Sequence, residues 1–204
     1  MNTTLDLVQL MEMEQRKRAQ FINSISGFRS VVLIGTTDAK GQTNLAIFSS
    51  IVHIGSNPPL LSFIMRPDSV ERHTLTNIME TGFYTINHIN ADIYEKAHQT
   101  SARYPKNVSE FDAAQLTPVF KNDFVAPFVA ESHIQIGMEF KERINISINQ
   151  TSMIIGEIKF VHYPDNCLLD DGFVDIEKAG TITSSGVDSY HTTQLLQKLE
   201  YAKP

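Results

Sequence analysis

Cysteine is nearly absent from this chain. Cys167 is the only one among 204 residues, so no intrachain disulfide can form and no Cys-x-x-Cys pair exists to hold zinc. That thiol lies in an aspartate-rich, turn-like segment, surroundings that do not activate a nucleophile. His-Glu-x-x-His, Gly-x-Ser-x-Gly and Gly-x-Gly-x-x-Gly are missing too, which removes the zinc-protease, hydrolase-elbow and Rossmann readings. The histidines (His53, His73, His88, His98, His133, His162 and His191) are scattered, and no metal site is expected. No apolar run is long enough to span a bilayer, and no basic start with an apolar core behind it marks a secretory signal. Basic residues are outnumbered, 17 Lys and Arg against 23 Asp and Glu, for a net charge of −6, so no basic surface invites nucleic acid. These absences set the expectation of a cytoplasmic protein. Without internal repeats or a shift in composition, residues 1–204 are expected to form one domain.

What the sequence does contain is strand. Ser30–Thr37 is β-branched and apolar, as a buried strand requires. Asp38-Ala39-Lys40-Gly41 is a turn with glycine where φ is positive. The chain returns through Gln42–Asn44 and meets a run rich in small residues, Asn44–Ser50. Small residues between strands let a flat ligand lie against free backbone N–H groups; the same composition also suits a tightly packed sheet corner. Ile51–Ile54 resumes as strand, Asn57-Pro58-Pro59 breaks it, and Leu60–Met65 is another. A short helix follows, with Thr74 as cap and Asn77 reaching back, or with Asp68 as an earlier cap and Glu71 completing the box. Leu75, Ile78 and Met79 give it an apolar face and Gly82 ends it. In the first reading Arg72, His73 and Thr74 surround a helix N-terminus that favours an anion; in the plain reading this is a capped helix with a solvated arginine.

Elsewhere, Leu5–Ile25 reads as one helix capped by Thr3 or Thr4, with a broken apolar stripe. Residues 90–132 lose strand character and read as a flap or interface, with helical turns at Ile93–His98 and after Ser109. Ile134–Phe140 and Ile144–Ile148 alternate as half-buried strands, Asn149-Gln150 turns the chain, and Met153–His162 runs back as a hairpin. Asp170–Gly172 is a turn, Thr181–Gly186 a loop of small residues, and Thr192–Tyr201 a C-terminal helix followed by a tail.

The order of these pieces resembles the flavin reductase-like family of FMN-binding split barrels. They are Asp38–Gly41, Asn44–Ser50, Pro58-Pro59, Arg66-Pro67, Thr74–Ile78 and Phe83–Asn87, continued by Ser101-Ala102, Ser109–Phe111, Leu116–Pro118 and Gly156–Ile158. The resemblance runs from about Gly27 to about Tyr190 and rests on order and spacing rather than on any one motif. It implies a mainly β fold, a Greek-key antiparallel split barrel with added helices, that binds FMN at a homodimer interface. It further implies electron transfer between NADH or NADPH and flavin. The cofactor-binding residues would be Asn44, Ala46, Ile47, Phe48, Ser49, Ser50, Arg66, Arg72, His73, Thr74, Asn77 and Ser101. Backbone N–H groups of Ile47–Ser50 would hold the ring's pyrimidine edge, Arg72, His73 and Thr74 the phosphate with Asn77 assisting, and Arg66 would add positive charge near the ring. No side chain is expected as a catalytic acid or base, since the chemistry is the cofactor's.

One departure is visible. Many short-chain reductases of the family carry Gly-Asp-His before the strand containing Gly-Glu-Val; here those positions are Asn149-Gln150-Thr151, ahead of Gly156-Glu157-Ile158. This puts direct use of NAD(P)H in doubt and leaves a flavoredoxin-like carrier with a protein electron acceptor as the alternative. An oxidase of a pyridoxamine-like substrate would need a second arginine-rich cluster, and none is visible in the sequence.

Overall fold

The computed structural model describes residues 2–203. Its centre is β2 (Val32–Thr37), six consecutive buried residues. Alternation sends Val32 and Ile34 into a core shared with Phe63, Tyr84, Met138 and Ile154, and sends Leu33 the other way, onto Leu45, Ile89, Ile93 and Phe111. A strand buried on both faces has no room for a polar period, which is why its sequence reads as a continuous apolar run. Gly35 is forced by crowding: a Cβ there would stand 2.3 Å from the Pro127 carbonyl oxygen.

Ahead of β2 lie α1 (Leu7–Glu12), α2 (Gln15–Ile25) and β1 (Arg29–Ser30). After it come β3 (Thr43–Phe48), β4 (Val52–Ser56), β5 (Pro59–Met65), α3 (His73–Thr81) and β6 (Phe83–His88). The connection beyond β6 holds α4 (Tyr94–Gln99), α5 (Glu110–Ala113) and the two-residue strands β7 (Pro118–Val119) and β8 (Phe128–Val129). β9 (Gln135–Ile146) and β10 (Thr151–His162) form the long hairpin, and β11 (Thr183–Ser185) and β12 (Ser189–His191) a short one. Seven strands make one antiparallel sheet in the order β3-β2-β6-β9-β10-β5-β4. Its two edge strands, β3 and β4, are consecutive in sequence and joined only by Ser49–Ile51, so the sheet must curl until its edges meet. Ser50 stands at that seam, its Oγ accepting from the Ile64 N–H of β5 at 3.0 Å. The result is an antiparallel split barrel with added helices.

Several turns follow the sequence reading. Gly41 has φ +85° and Gly82 φ +78°, each closing its element in the left-handed region. Asp38 stabilises its turn by accepting from the N–H groups of Lys40 and Gln42, both at 2.9 Å. Four elements differ from expectation. The N-terminal helix is two helices: Asp6, not Thr3 or Thr4, caps α1 in a reciprocal box with Gln9, and Glu14 restarts the chain by accepting from Lys17 N–H. Arg18 fills the break, donating to the Met11 and Met13 carbonyls at 2.8 and 3.0 Å. The run 134–148 contains one continuous strand, β9, and Ile148 lies in its turn, 92% exposed. Thr181–Gly186 is not a loop, because β11 pairs with both β1 and β12. Residues 192–203 are not helical: Leu195, Leu196 and Leu199 have no surface to bury against, and a short isolated helix is unstable in water. That run is instead pinned by Leu195 N–H on Glu177 and by the Lys198–Asp171 ion pair.

Candidate functional site

Edge strands leave N–H groups without ladder partners, and β3 is such an edge. Its outward N–H at Leu45 is satisfied by the Glu110 carboxylate of α5 at 3.0 Å. Alternation points the Ile47 N–H to the same open side, and among the described residues the N–H groups of Ile47, Ser49 and Ser50 have no acceptor. Ala46 and Ser49 keep this stretch low enough for another molecule to approach the backbone.

A second set of free donors lies across the opening. Arg72 is the N-cap of α3 in extended backbone and makes no side-chain cap, so the first intrahelical bond is Thr76 N–H to Arg72 carbonyl at 2.9 Å. The N–H groups of His73, Thr74 and Leu75 are left without acceptors, a site suited to an anion. Thr74 is therefore not the cap; it sits inside the first turn because its hydroxyl accepts from the Asn44 amide at 3.1 Å. The same amide donates to Thr36 Oγ1 at 3.2 Å, and Asn77 donates to that oxygen at 3.1 Å. This buried network fixes α3 against β2 and β3. Arg72 bends back, its Nε donating to the Pro67 carbonyl at 3.2 Å. His73 approaches Glu71 at 3.9 Å.

Together these walls enclose a groove of about 610 Å³, within the range of roughly 300–1,000 Å³ usual for ligand pockets. Every residue singled out from the sequence lines it except Asn77. Asn77 is 2% exposed and spends its amide on Thr36, so it holds the wall rather than facing the opening. Ser101 enters from the turn after α4, where its N–H bonds the His98 carbonyl at 3.0 Å. The hairpin tip Asn149-Gln150-Thr151 contributes nothing to the lining.

Sequence reasoning missed several groove residues. Glu110 was visible only as part of Ser-Glu-Phe; burial raises its carboxyl above its ordinary range, against the lowering effect of the Leu45 N–H bond. His98, Arg103 and Tyr104 come from the irregular connection, and Arg29, Ser184 and Tyr190 from the small sheet that the sequence did not reveal. Their only signal was an arginine three residues ahead of the fully buried strand β2. Among the described residues no group of three His, Cys, Asp or Glu side chains is placed to hold a metal ion, and no helix is long and apolar enough to cross a membrane.

The donor set fits a flat heterocycle with an attached anion, and comparison with known proteins names the class. The profile of the flavin reductase like domain matches residues 25–176. The chain belongs to the flavin reductase-like family, a class of flavin-related oxidoreductases. It is similar to a split-barrel flavin reductase candidate from Shewanella frigidimarina, with a TM-score of 0.95 and 49% identity over 98% of this chain and 100% of that one. A protein of Aquifex aeolicus is 27% identical over 164 residues, covering 79% of this chain and 83% of its own length. The flavoredoxin of Desulfovibrio vulgaris shares the fold at a TM-score of 0.74 and 24% identity, over 86% of this chain and 92% of its own.

Proposed function

We propose that the chain binds FMN in this groove and passes electrons through it from NADH or NADPH to a second acceptor. The observation that carries the reading is that the open edge of β3 and the uncapped start of α3 line one groove. A bound flavin supplies hydride acceptance and electron release. The chain's own groups supply position: N–H groups of Ile47, Ser49 and Ser50 hold the polar edge of the ring. Arg72, with the N–H groups of His73 and Thr74, holds the phosphate by charge-assisted bonds. Arg66 adds positive charge beside the ring, and the Ser101–Tyr104 turn excludes water from its outer side. Asn44 and Asn77 act one step back, fixing the wall through Thr36.

The working unit in this reading is a cytoplasmic homodimer of one-domain protomers. A compact monomer of 22.9 kDa exposes about 9,600 Å², whereas this chain exposes 12722 Å². Neither α1 nor α2 buries a residue, and Leu7, Met11, Ile25 and Phe28 stand exposed, as do Leu195, Leu196 and Leu199 of the C-terminal run. A standard interface takes roughly 800 Å² from each partner, well within this excess.

A second reading is favoured by one feature. The hairpin tip carries Asn149-Gln150-Thr151 and stays out of the groove, so that tip offers no Asp–His pair to a nicotinamide. A flavoredoxin-like carrier, reduced by a protein and not by NAD(P)H, fits that absence. An anaerobic spectrum separates the two. Bleaching of the bound flavin by NADH or NADPH is the expected result; bleaching by dithionite alone selects the carrier. Failure to retain any flavin contradicts both.

A further inference from the structure

The far end of the groove holds polar groups for which the flavin has no use. In the small sheet, Arg29 lies directly opposite Ser184, and Ser184 opposite Tyr190. Residues in one cross-strand row project from the same face, and all three line the groove. Arg29 donates through Nη1 to Asn23 Oδ1 at 3.3 Å and through Nη2 to the Gly186 carbonyl, which pins the guanidinium. Its Nε is buried with no acceptor, and among the described residues no carboxylate lies within ion-pair distance of it. Ser184 is 6% exposed, and its buried Oγ also lacks a partner. Tyr190 Oη meets His98 Nδ1 at 2.8 Å. Arg103 reaches the groove from the turn after α4, and Asp188, the one acidic neighbour on the β11–β12 turn, is held by Gln20 at 3.0 Å.

A half-buried guanidinium whose Nε–H is unsatisfied, beside an unsatisfied hydroxyl, is complementary to an oxyanion. The flavin phosphate is not the candidate occupant. Thr74 meets β3 at Asn44, whereas Arg29 is near the opposite end, where Phe48 pairs with Val32. Four residues of strand separate those ends by about 13 Å. We propose that Arg29, Ser184 and Tyr190 form a second oxyanion subsite, which takes a phosphate or carboxylate of the flavin's redox partner. The proposal rests on the flavin reading above and names the chemistry of the other substrate: an anion on a molecule long enough to reach from the ring to Arg29.

The test uses full-length protein saturated with FMN and measures binding by calorimetry with three probes: NAD⁺, inorganic pyrophosphate and benzoate. At least one oxyanion probe binds the wild type. Arg29→Gln weakens it tenfold or more, Ser184→Ala weakens it severalfold, and Arg29→Lys retains part of the affinity. Loss of NAD⁺ and pyrophosphate together identifies a dinucleotide phosphate as the source; loss of benzoate alone identifies an organic acid. Wild-type-like probe binding in both Arg29→Gln and Ser184→Ala, or no probe binding to the wild type, overturns the subsite and leaves the flavin reading intact. If Arg29→Gln instead weakens FMN but not riboflavin, the flavin phosphate sits at Arg29, and both the subsite and the α3 assignment fall. Ser184→Ala removes one oxygen without touching the Arg29 contacts, so it decides the matter if Arg29→Gln fails to fold.

Discussion

The two walls of the groove are built on different terms. The inner wall, β3 with the start of α3, is tied into the core: Asn44, Thr74, Asn77 and Thr36 are all at least nine-tenths buried and joined by hydrogen bonds of 3.1–3.2 Å. The outer rim, α2 with the β11–β12 turn, rests on a few polar contacts such as Gln20 with Asp188 and with the Val187 N–H, and α2 buries nothing. A wall fixed by the core is preorganised before any ligand arrives, so little ordering opposes binding there. A rim with exposed apolar residues is completed by something else, which in our reading is the second protomer. In that reading the contrast separates the geometry that recognises the flavin from the surface that encloses it.

Damage to the inner wall has the largest expected effect. Thr36 Oγ1 is the shared acceptor of two buried amides. Thr36→Val keeps the shape, leaves the Asn77 amide without its acceptor and leaves Asn44 with Thr74 alone, so the expected loss is about 2–4 kcal/mol in urea unfolding, accompanied by weaker flavin binding. Glu110→Ala removes the one acceptor of the buried Leu45 N–H and costs about 1–3 kcal/mol by the same measurement, whereas Glu110→Gln keeps an oxygen there and costs less.

Glu110 also gives a pH signature. Its folded pKa is raised from 4.5 by burial, so folding favours the neutral carboxyl. That advantage is full below the unfolded pKa and is lost as pH rises through the folded value. Wild type should therefore lose stability relative to Glu110→Gln as pH climbs from about 4.5, the ordinary value of the group. Asp68, Glu139 and Glu157, held below their ordinary range by Arg143, Lys141 and Lys159, act in the opposite sense and cancel in the difference. A flat difference between pH 4 and 7 would show that Glu110 is not buried as described.

The rim should respond differently. Ile22→Asp with Ile25→Asp should leave monomer stability within about 0.5 kcal/mol, because α2 buries nothing in one chain. In sedimentation the same pair should convert dimer to monomer; an unaltered dimer would move the interface elsewhere. The smallest effect is reserved for Ile148→Ser in the β9–β10 turn, below about 0.5 kcal/mol in stability.

Legibility in the sequence divides along the same line. The inner wall could be read because its residues are contiguous: Asn44–Ser50 and Arg72–Thr74 each come from one short stretch, although the cap falls at Arg72 and not at Thr74. Even there Asn77 was misread, since a side chain three residues into a helix can turn toward the core or the opening, and spacing does not say which. The rim could not be read. Arg29, Ser184 and Tyr190 meet because β12 folds back on β11 as a hairpin and β1 pairs with β11 across more than 150 residues of chain. The C-terminal run has the composition of a helix, but no face in one chain to pack against, and there tertiary context overrides propensity. The break at Met13 was hidden because Glu14 and Arg18, each ordinary inside a helix, act here as a cap and a plug.

The claim on which the rest depends is that the start of α3 holds the flavin phosphate through Arg72. Titrating wild type and Arg72→Ala with FMN and with riboflavin, at one ionic strength, tests it most directly. The account predicts a loss of about 2 kcal/mol, more than tenfold, for FMN in Arg72→Ala, and little change for riboflavin. An FMN affinity in Arg72→Ala equal to wild type, or an equal loss with both ligands, would contradict it.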